Sequence, residues 1–136
     1  MDLHDNKNFD SATRKFFEDK NIAFVATLMK DGSPQITPVW IDIAYDSILI
    51  NTAMGRVKQK NIEKDPRIAI SVVDRNNIYH MVSIRGEVTE QITGQEAEDH
   101  IDKMAKKYLD KDTYPLRTEG EERILLKVTP KKVAVM

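Results

Sequence analysis

NTAMGRVKQKNIEKDPRIAISVV, residues 51–73, sets an apolar strand end, a glycine turn, a basic helix start and a second apolar run in direct succession. Asn51 and Thr52 close the first run, and Ala53-Met54-Gly55 lets the backbone turn close to something. Arg56 and Lys58 then fall in the first helical turn. Asp65-Pro66 stops the helix, because proline cannot continue it and disfavours helical backbone in the residue before it. A helix start carries free amide hydrogens and the positive end of the dipole, so it favours acids. Cations placed there cost from a few tenths to about 1 kcal/mol unless an anion sits among them. Two readings are open. One is an exposed basic turn with solvated side chains. The other is a phosphate site, where the Thr52 hydroxyl, loop amides, the planar Arg56 fork and the Lys58 ammonium converge. Further along the helix, Gln59, Lys60 and Lys64 are expected to face solvent, with Val57 and Ile62 packed inward.

On the N-terminal side, residues 1–9 read as a loose tail. From Asp10 a short helix is expected, with Ala12, Phe16 and Phe17 on one face and Asn21 closing it. Residues 22–29 form an apolar strand that turns at Asp31-Gly32, a strong hairpin signal. The return strand is read over residues 34–45, with Ile36, Pro38 and Trp40 on one face and Gln35, Thr37 and Val39 on the other. Pro38 cannot donate to a ladder, so it marks an edge, a bulge, or a place where a ligand replaces the partner strand. A tight turn at Tyr45-Asp46-Ser47 leads to the strand that ends at Thr52.

On the C-terminal side, residues 67–74 and 78–92 read as two strands, with Gly86 a bulge or sharp bend. Thr93 and Glu96 form a capping box for a helix whose apolar stripe is Ala97, Ile101, Met104, Tyr108 and Leu109. On that helix, Asp99–Lys103 and Asp102–Lys106 are expected to pair on a solvated face. Residues 122–130 and 131–136 supply two last strands. The total is about seven strands and three helices, with connections too short for parallel crossovers. The expected fold is therefore mainly β: one domain over residues 1–136, its antiparallel sheet closed into a barrel with flanking helices.

Bulk composition narrows the chemistry. The 136 residues are 40% hydrophobic and 32% charged, with 21 basic and 22 acidic side chains. A charge of −1 supplies no global field for nucleic acid or anionic membrane, so any basic site must be local. The absence of cysteine excludes disulfides, thiolate metal sites and thiol nucleophiles, and makes the cytoplasm the expected location. No run approaches the roughly 20 apolar residues of a membrane span. His4, His80 and His100 lie far apart, and no metal site is expected. Neither a nucleophile elbow nor a Walker or Rossmann glycine pattern occurs. If the protein is an enzyme, its reactive group arrives with a cofactor.

The order DGSPQITPVW, ILINTAMGRVKQKNIEKDPRIAISV and IRGEV resembles the pyridoxamine 5′-phosphate oxidase-like family of flavin-binding split β-barrels. Its small branch of FMN- or deazaflavin-dependent oxidoreductases is the most similar. The resemblance spans about residues 16–88, and its pieces are specific only in combination. It implies that Thr52, Arg56 and Lys58 hold the cofactor phosphate. Thr37, Pro38, Val39 and Trp40 would lie along the ring system, which gives Pro38 a function. Trp40 has a competing reading as a core or interface anchor. The resemblance further implies a homodimer with cofactor at the interface, where Tyr79, His80 and Met81 arrive from the other subunit. FMN or the related deazaflavin coenzyme is the implied cofactor, with hydride transfer to or from a small organic substrate as the activity. A non-enzymatic flavin carrier is the alternative. The chain departs from a vitamin B6 oxidase in one respect: Arg117 and Arg123 are its only late arginines, and no tryptophan follows Trp40.

Overall fold

The computed structural model describes residues 2–4, as backbone, and residues 9–136. Eight strands and three helices follow in the order β1 (Asp2–His4), α1 (Ser11–Glu18), β2 (Ala23–Leu28), β3 (Pro34–Val39), β4 (Asp42–Ala44), β5 (Ser47–Ala53), α2 (Val57–Lys64), β6 (Arg67–Asp74), β7 (Asn77–Ile92), α3 (Gln95–Leu109) and β8 (Arg123–Val135). The sheet runs β3-β2-β6-β7-β8-β5-β4, with β1 against the end of β8. Every pairing is antiparallel. The chain is thus mainly β with flanking helices, as expected. No helix among the described residues is long and apolar enough to cross a membrane.

One face of the sheet encloses the core. Val25, Ile50, Ile70, Val72, Val82, Ile84, Leu126, Val128 and Val133 point into it from successive strands, and Phe16 and Phe17 of α1 close one side. Strand alternation produces this arrangement: β6 reads exposed, buried, exposed, buried over its first four residues. Each buried aliphatic or aromatic side chain contributes roughly 1.5–3 kcal/mol.

The expected long strand over residues 34–45 is two strands. β3 and β4 are the ends of the sheet, adjacent in the chain yet not paired with each other, so the sheet is open at residues 40–41. The freed backbone is satisfied from α3. The Ile41 amide donates to the Tyr108 hydroxyl at 3.1 Å, and the Ile41 carbonyl accepts from Lys107 Nζ at 2.8 Å. Tyr108 in turn donates to the Asn21 carbonyl at 2.6 Å. The two expected last strands are instead one, running through Pro130. Proline is tolerated there because the β7–β8 register shifts at Arg85/Gly86, leaving Gly86 opposite Pro130.

Other expectations need correction. Residues 2–4 pair with residues 133–135 rather than trailing as a tail; residues 1 and 5–8 of that expected tail lie outside the described residues. The Thr93–Glu96 capping box does not form, because Gly94 at φ 82° holds the cap position and α3 starts at Gln95. Asp19 is the C-cap of α1, and Asn21 instead donates to the Phe16 carbonyl and accepts from the Arg75 amide. On α3 the acids reach off the expected pairs: Asp99 accepts from Gln95, Asp102 pairs with Arg117, and Lys103 pairs with Asp42. On α2, Gln59 is buried and Val57 exposed, the reverse of the expectation.

Candidate functional site

The turn into α2 is built by two side-chain facts. Gly55 has φ +85°, a left-handed conformation that other L-residues adopt only under strain. Its amide donates to Gln59 Oε1 at 3.0 Å, and the Gln59 amide nitrogen donates to Glu63 and, more distantly, Gln91. Burial of Gln59 at helix position N3 therefore locks the turn that presents Arg56 and Lys58, a role in which glutamine at this position recurs. Arg56 occupies the N-cap position with no side-chain cap bond, so the helix start receives no side-chain acceptor from it.

A cavity of about 420 Å³ opens beside this turn. Its lining combines Asn51, Thr52, Arg56, Lys58 and Arg123 with Pro38, Val39, Trp40, Tyr114 and Leu116, and the Arg123 guanidinium lies over the Tyr114 ring, 5.2 Å from its centroid. Trp40 stacks flat on Tyr108 with ring centroids 5.2 Å apart, and Tyr114 meets its edge at 5.9 Å. The loop bearing Tyr114 and Leu116 is tied to α3, since Arg117 bonds Asp102 at 2.6 Å and Glu98 at 3.3 Å.

The cationic part of this lining is short of acceptors. Neither the Arg56 nor the Lys58 side chain makes a hydrogen bond or ion pair among the described residues. Burial, then the Arg56 and Arg123 guanidiniums, pushes the Lys58 ammonium below its ordinary value. The Thr52 residue is 2% exposed, and its hydroxyl has no hydrogen-bond partner. The Thr37 hydroxyl is likewise buried without one. Such groups cost roughly 1–3 kcal/mol each when left unpaired. Among the described residues these two hydroxyls are the only fully buried side-chain nitrogen or oxygen atoms without a partner, and both lie in the segments singled out from sequence.

The structure thus brings together Pro38, Val39, Trp40, Thr52, Arg56 and Lys58 around one cavity, with Thr37 on the same strand. Pro38 sits on an edge strand, opposite Phe24, and lines the cavity as well. Tyr79, His80 and Met81 do not line the cavity of their own chain. Tyr79 is 80% exposed on the β6–β7 hairpin, whereas His80 packs on Phe16 at 4.4 Å and faces Asp74.

Sequence reasoning missed Asn51 and Arg123. Arg123 is buried, paired with Glu121 at 2.6 Å, and donates Nε to Asn51 Oδ1 at 2.9 Å. One signal was available: a strand opening on arginine directly before the apolar run ILL. Behind Asn51, α3 presents His100 to the buried Asp42 at 3.0 Å, where Lys103 also reaches. Burial would raise the Asp42 carboxyl, but the His100 hydrogen bond, the Ile43 amide and Lys103 outweigh it and hold the group at about 2. Its folded value lies below its ordinary 3.8, so the stability it contributes is full above about pH 4 and is lost as pH falls to about 2. That loss is about 2 kcal/mol, and Asp42→Asn is expected to remove it. Urea unfolding of both proteins at pH 5 and pH 2.5 measures the difference.

A family profile described as pyridoxamine 5′-phosphate oxidase matches residues 9–136. Among solved structures, one named F420 reductase aligns with a TM-score of 0.79 at 23% identity, over 89% of this chain and 94% of its own. A conserved hypothetical protein from Mycobacterium tuberculosis aligns with a TM-score of 0.74 at 19% identity, over 93% and 84%. HupZ of Group A Streptococcus gives 0.69 at 19% identity, over 94% of both chains. At these identities the likeness to each structure is one of fold. No curated protein matches the chain.

Proposed function

This chain belongs to the pyridoxamine 5′-phosphate oxidase family, and from that premise we propose that it binds FMN or the related deazaflavin coenzyme and acts as an oxidoreductase on a small organic substrate. The observation that carries the reading is the buried, partnerless Thr52 hydroxyl beside Arg56 and Lys58, two cations whose side chains make no hydrogen bond or ion pair among the described residues. A phosphate supplies the missing acceptors. Arg56 and Lys58 would donate ion-paired hydrogen bonds to it, and the uncharged Thr52 hydroxyl one strengthened by the phosphate charge alone. Pro38, Val39 and Trp40 would wall the ring system and exclude water from one side of it. When bound, such a cofactor supplies hydride transfer, chemistry that no side chain of the cavity offers.

The fold shared with the F420 reductase favours the deazaflavin, whose phosphodiester and acidic tail suit the exposed Lys60 and Lys64 beyond Lys58. A second copy of the chain belongs to this reading, with Tyr79, His80 and Met81 supplied from the partner. The exposed Ile78 and Tyr79 of the hairpin, and Phe24 and Ile36 on the outer face of the sheet, support it.

The test is to purify the protein, record its visible spectrum and mass by light scattering, and titrate FMN and the deazaflavin separately. Binding of either at micromolar concentration is expected; if neither binds, the proposal is lost. Steady-state reduction of the bound cofactor then separates an enzyme from a carrier. Thr52→Val has opposite expected signs on two measurements. Thermal unfolding without cofactor should show about 1 kcal/mol more stability, because the orphan hydroxyl is gone. Cofactor affinity should fall by about 1.5 kcal/mol.

A further inference from the structure

The polar groups behind the cavity form one hydrogen-bonded chain, and its direction can be worked out. Arginine nitrogens only donate, so Arg123 Nε fixes the Asn51 amide with Oδ1 towards it. The Asn51 NH2 is then turned towards the Ala97 carbonyl at 2.9 Å and His100 Nδ1 at 3.2 Å. An amide nitrogen cannot accept, so Nδ1 must be unprotonated. The ring proton therefore sits on Nε2 and is donated to Asp42 Oδ2 at 3.0 Å. Every member of the chain has one consistent role. Arg123, which lines the cavity, lies over Tyr114 and acts on Lys58, is left with Nη2 making no hydrogen bond among the described residues.

We propose that His100, oriented by Asp42, is a positioning residue that acts through Asn51 to aim the Arg123 guanidinium at the anion site of the cavity, and does so only while its Nδ1 carries no proton. A protonated ring would set an N–H against the Asn51 NH2. Turning the Asn51 amide relieves that clash but points the NH2 at Arg123 Nε, and the Ala97 carbonyl loses its donor. Arg123 then loses the bond that orients its Nε, while Glu121 still holds Nη1 and Tyr114 its face, so the guanidinium can turn about those contacts. The charged groups facing the ring are Asp42 on β4 and Lys103 on the next turn of α3. Lys107 acts on Asp42 from the same helix, and Arg123 with Glu121 and Glu98 lies beyond Asn51. A buried set of this kind is weak evidence for stability, since apolar residues of similar volume often serve as well or better. Two of its members line the cavity, so a role at the site accounts for it.

The inference rests on the reading of the cavity as a phosphate-bearing cofactor site, and its test has an arm independent of that reading. In cofactor-free protein, nitrogen-15 NMR at pH 8 should show His100 protonated on Nε2 alone. The Arg123 Nε–H signal should shift or vanish on acidification with the same midpoint as the His100 ring. A ring protonated on Nδ1 at pH 8, or an Arg123 signal that ignores the ring titration, overturns the proposal. The second arm titrates FMN into wild type and His100→Gln well above and well below the ring midpoint that the NMR arm finds. The FMN phosphate itself gains a proton near pH 6, so both proteins lose some affinity on acidification. Wild type should lose about fivefold more than His100→Gln, whose side chain cannot titrate; equal losses overturn the relay. If FMN binds neither protein, or His100→Gln does not fold, the NMR arm on wild type decides alone. In the first case the cofactor reading falls separately.

Discussion

Replacing Arg56 and Lys58 together by alanine is expected to weaken cofactor binding by about 2–4 kcal/mol, a factor of about thirty to about a thousand in Kd. The range follows from two charge-assisted hydrogen bonds, each worth roughly 1.5–3 kcal/mol and partly screened where Arg56 is exposed. The cofactor-free protein should not suffer. Lys58 is held below its ordinary value by burial and by the Arg56 and Arg123 guanidiniums, so removing two of the three cations relieves repulsion. The double variant should therefore melt no lower than wild type, while its titration curve moves strongly to higher cofactor concentration. An unchanged Kd overturns the phosphate assignment and leaves the fold intact. A fall in both stability and affinity would mean that the cations brace the turn rather than serve a ligand.

Gly86→Ala is expected to destabilise the protein by about 3 kcal/mol, at the upper end of what overpacking usually costs. The reason is not the backbone conformation of Gly86, which is ordinary extended strand. An added Cβ would lie 2.5 Å from the Thr129 carbonyl oxygen and 3.2 Å from Pro130 Cα. Those are backbone atoms of the central strand β8, which also pairs with β5. They cannot swing aside as a flexible side chain would. Chemical denaturation should show a lower midpoint with an unchanged slope. A variant as stable as wild type would show that β8 can slide at the bulge.

Much of this architecture is local, and so it is visible in the chain. Gly55, the basic turn, Asp65-Pro66 and the apolar run of β6 each declare themselves within a few residues, and the phosphate-like cluster is built from them. What stayed hidden depends on distant partners. The break at residues 40–41 exists because Lys107 and Tyr108, 66 and 67 residues away, satisfy the backbone that a neighbouring strand would otherwise hold. Arg123 reads as a strand-opening charge until Asn51, 72 positions earlier, turns it towards the cavity. Pro130 reads as a terminator because the glycine that faces it and gives it room, Gly86, lies on β7. The Thr93 cap failed for a different reason. Both Thr93 and Gly94 are reasonable starts, and pairing of β7 as far as Ile92 moved the start onward.

The open edge of the sheet has one more consequence. β3 pairs on one side only, and its prolines, Pro34 and Pro38, are four residues apart, so both turn their missing N–H groups the same way. Since proline cannot donate to β2, that way is outward. Along this rim a foreign strand would find only Ile36 offering a donor between two gaps. A sheet that leaves an edge free for a flat ligand invites other chains to dock there and aggregate, and the prolines refuse that pairing while keeping the opening.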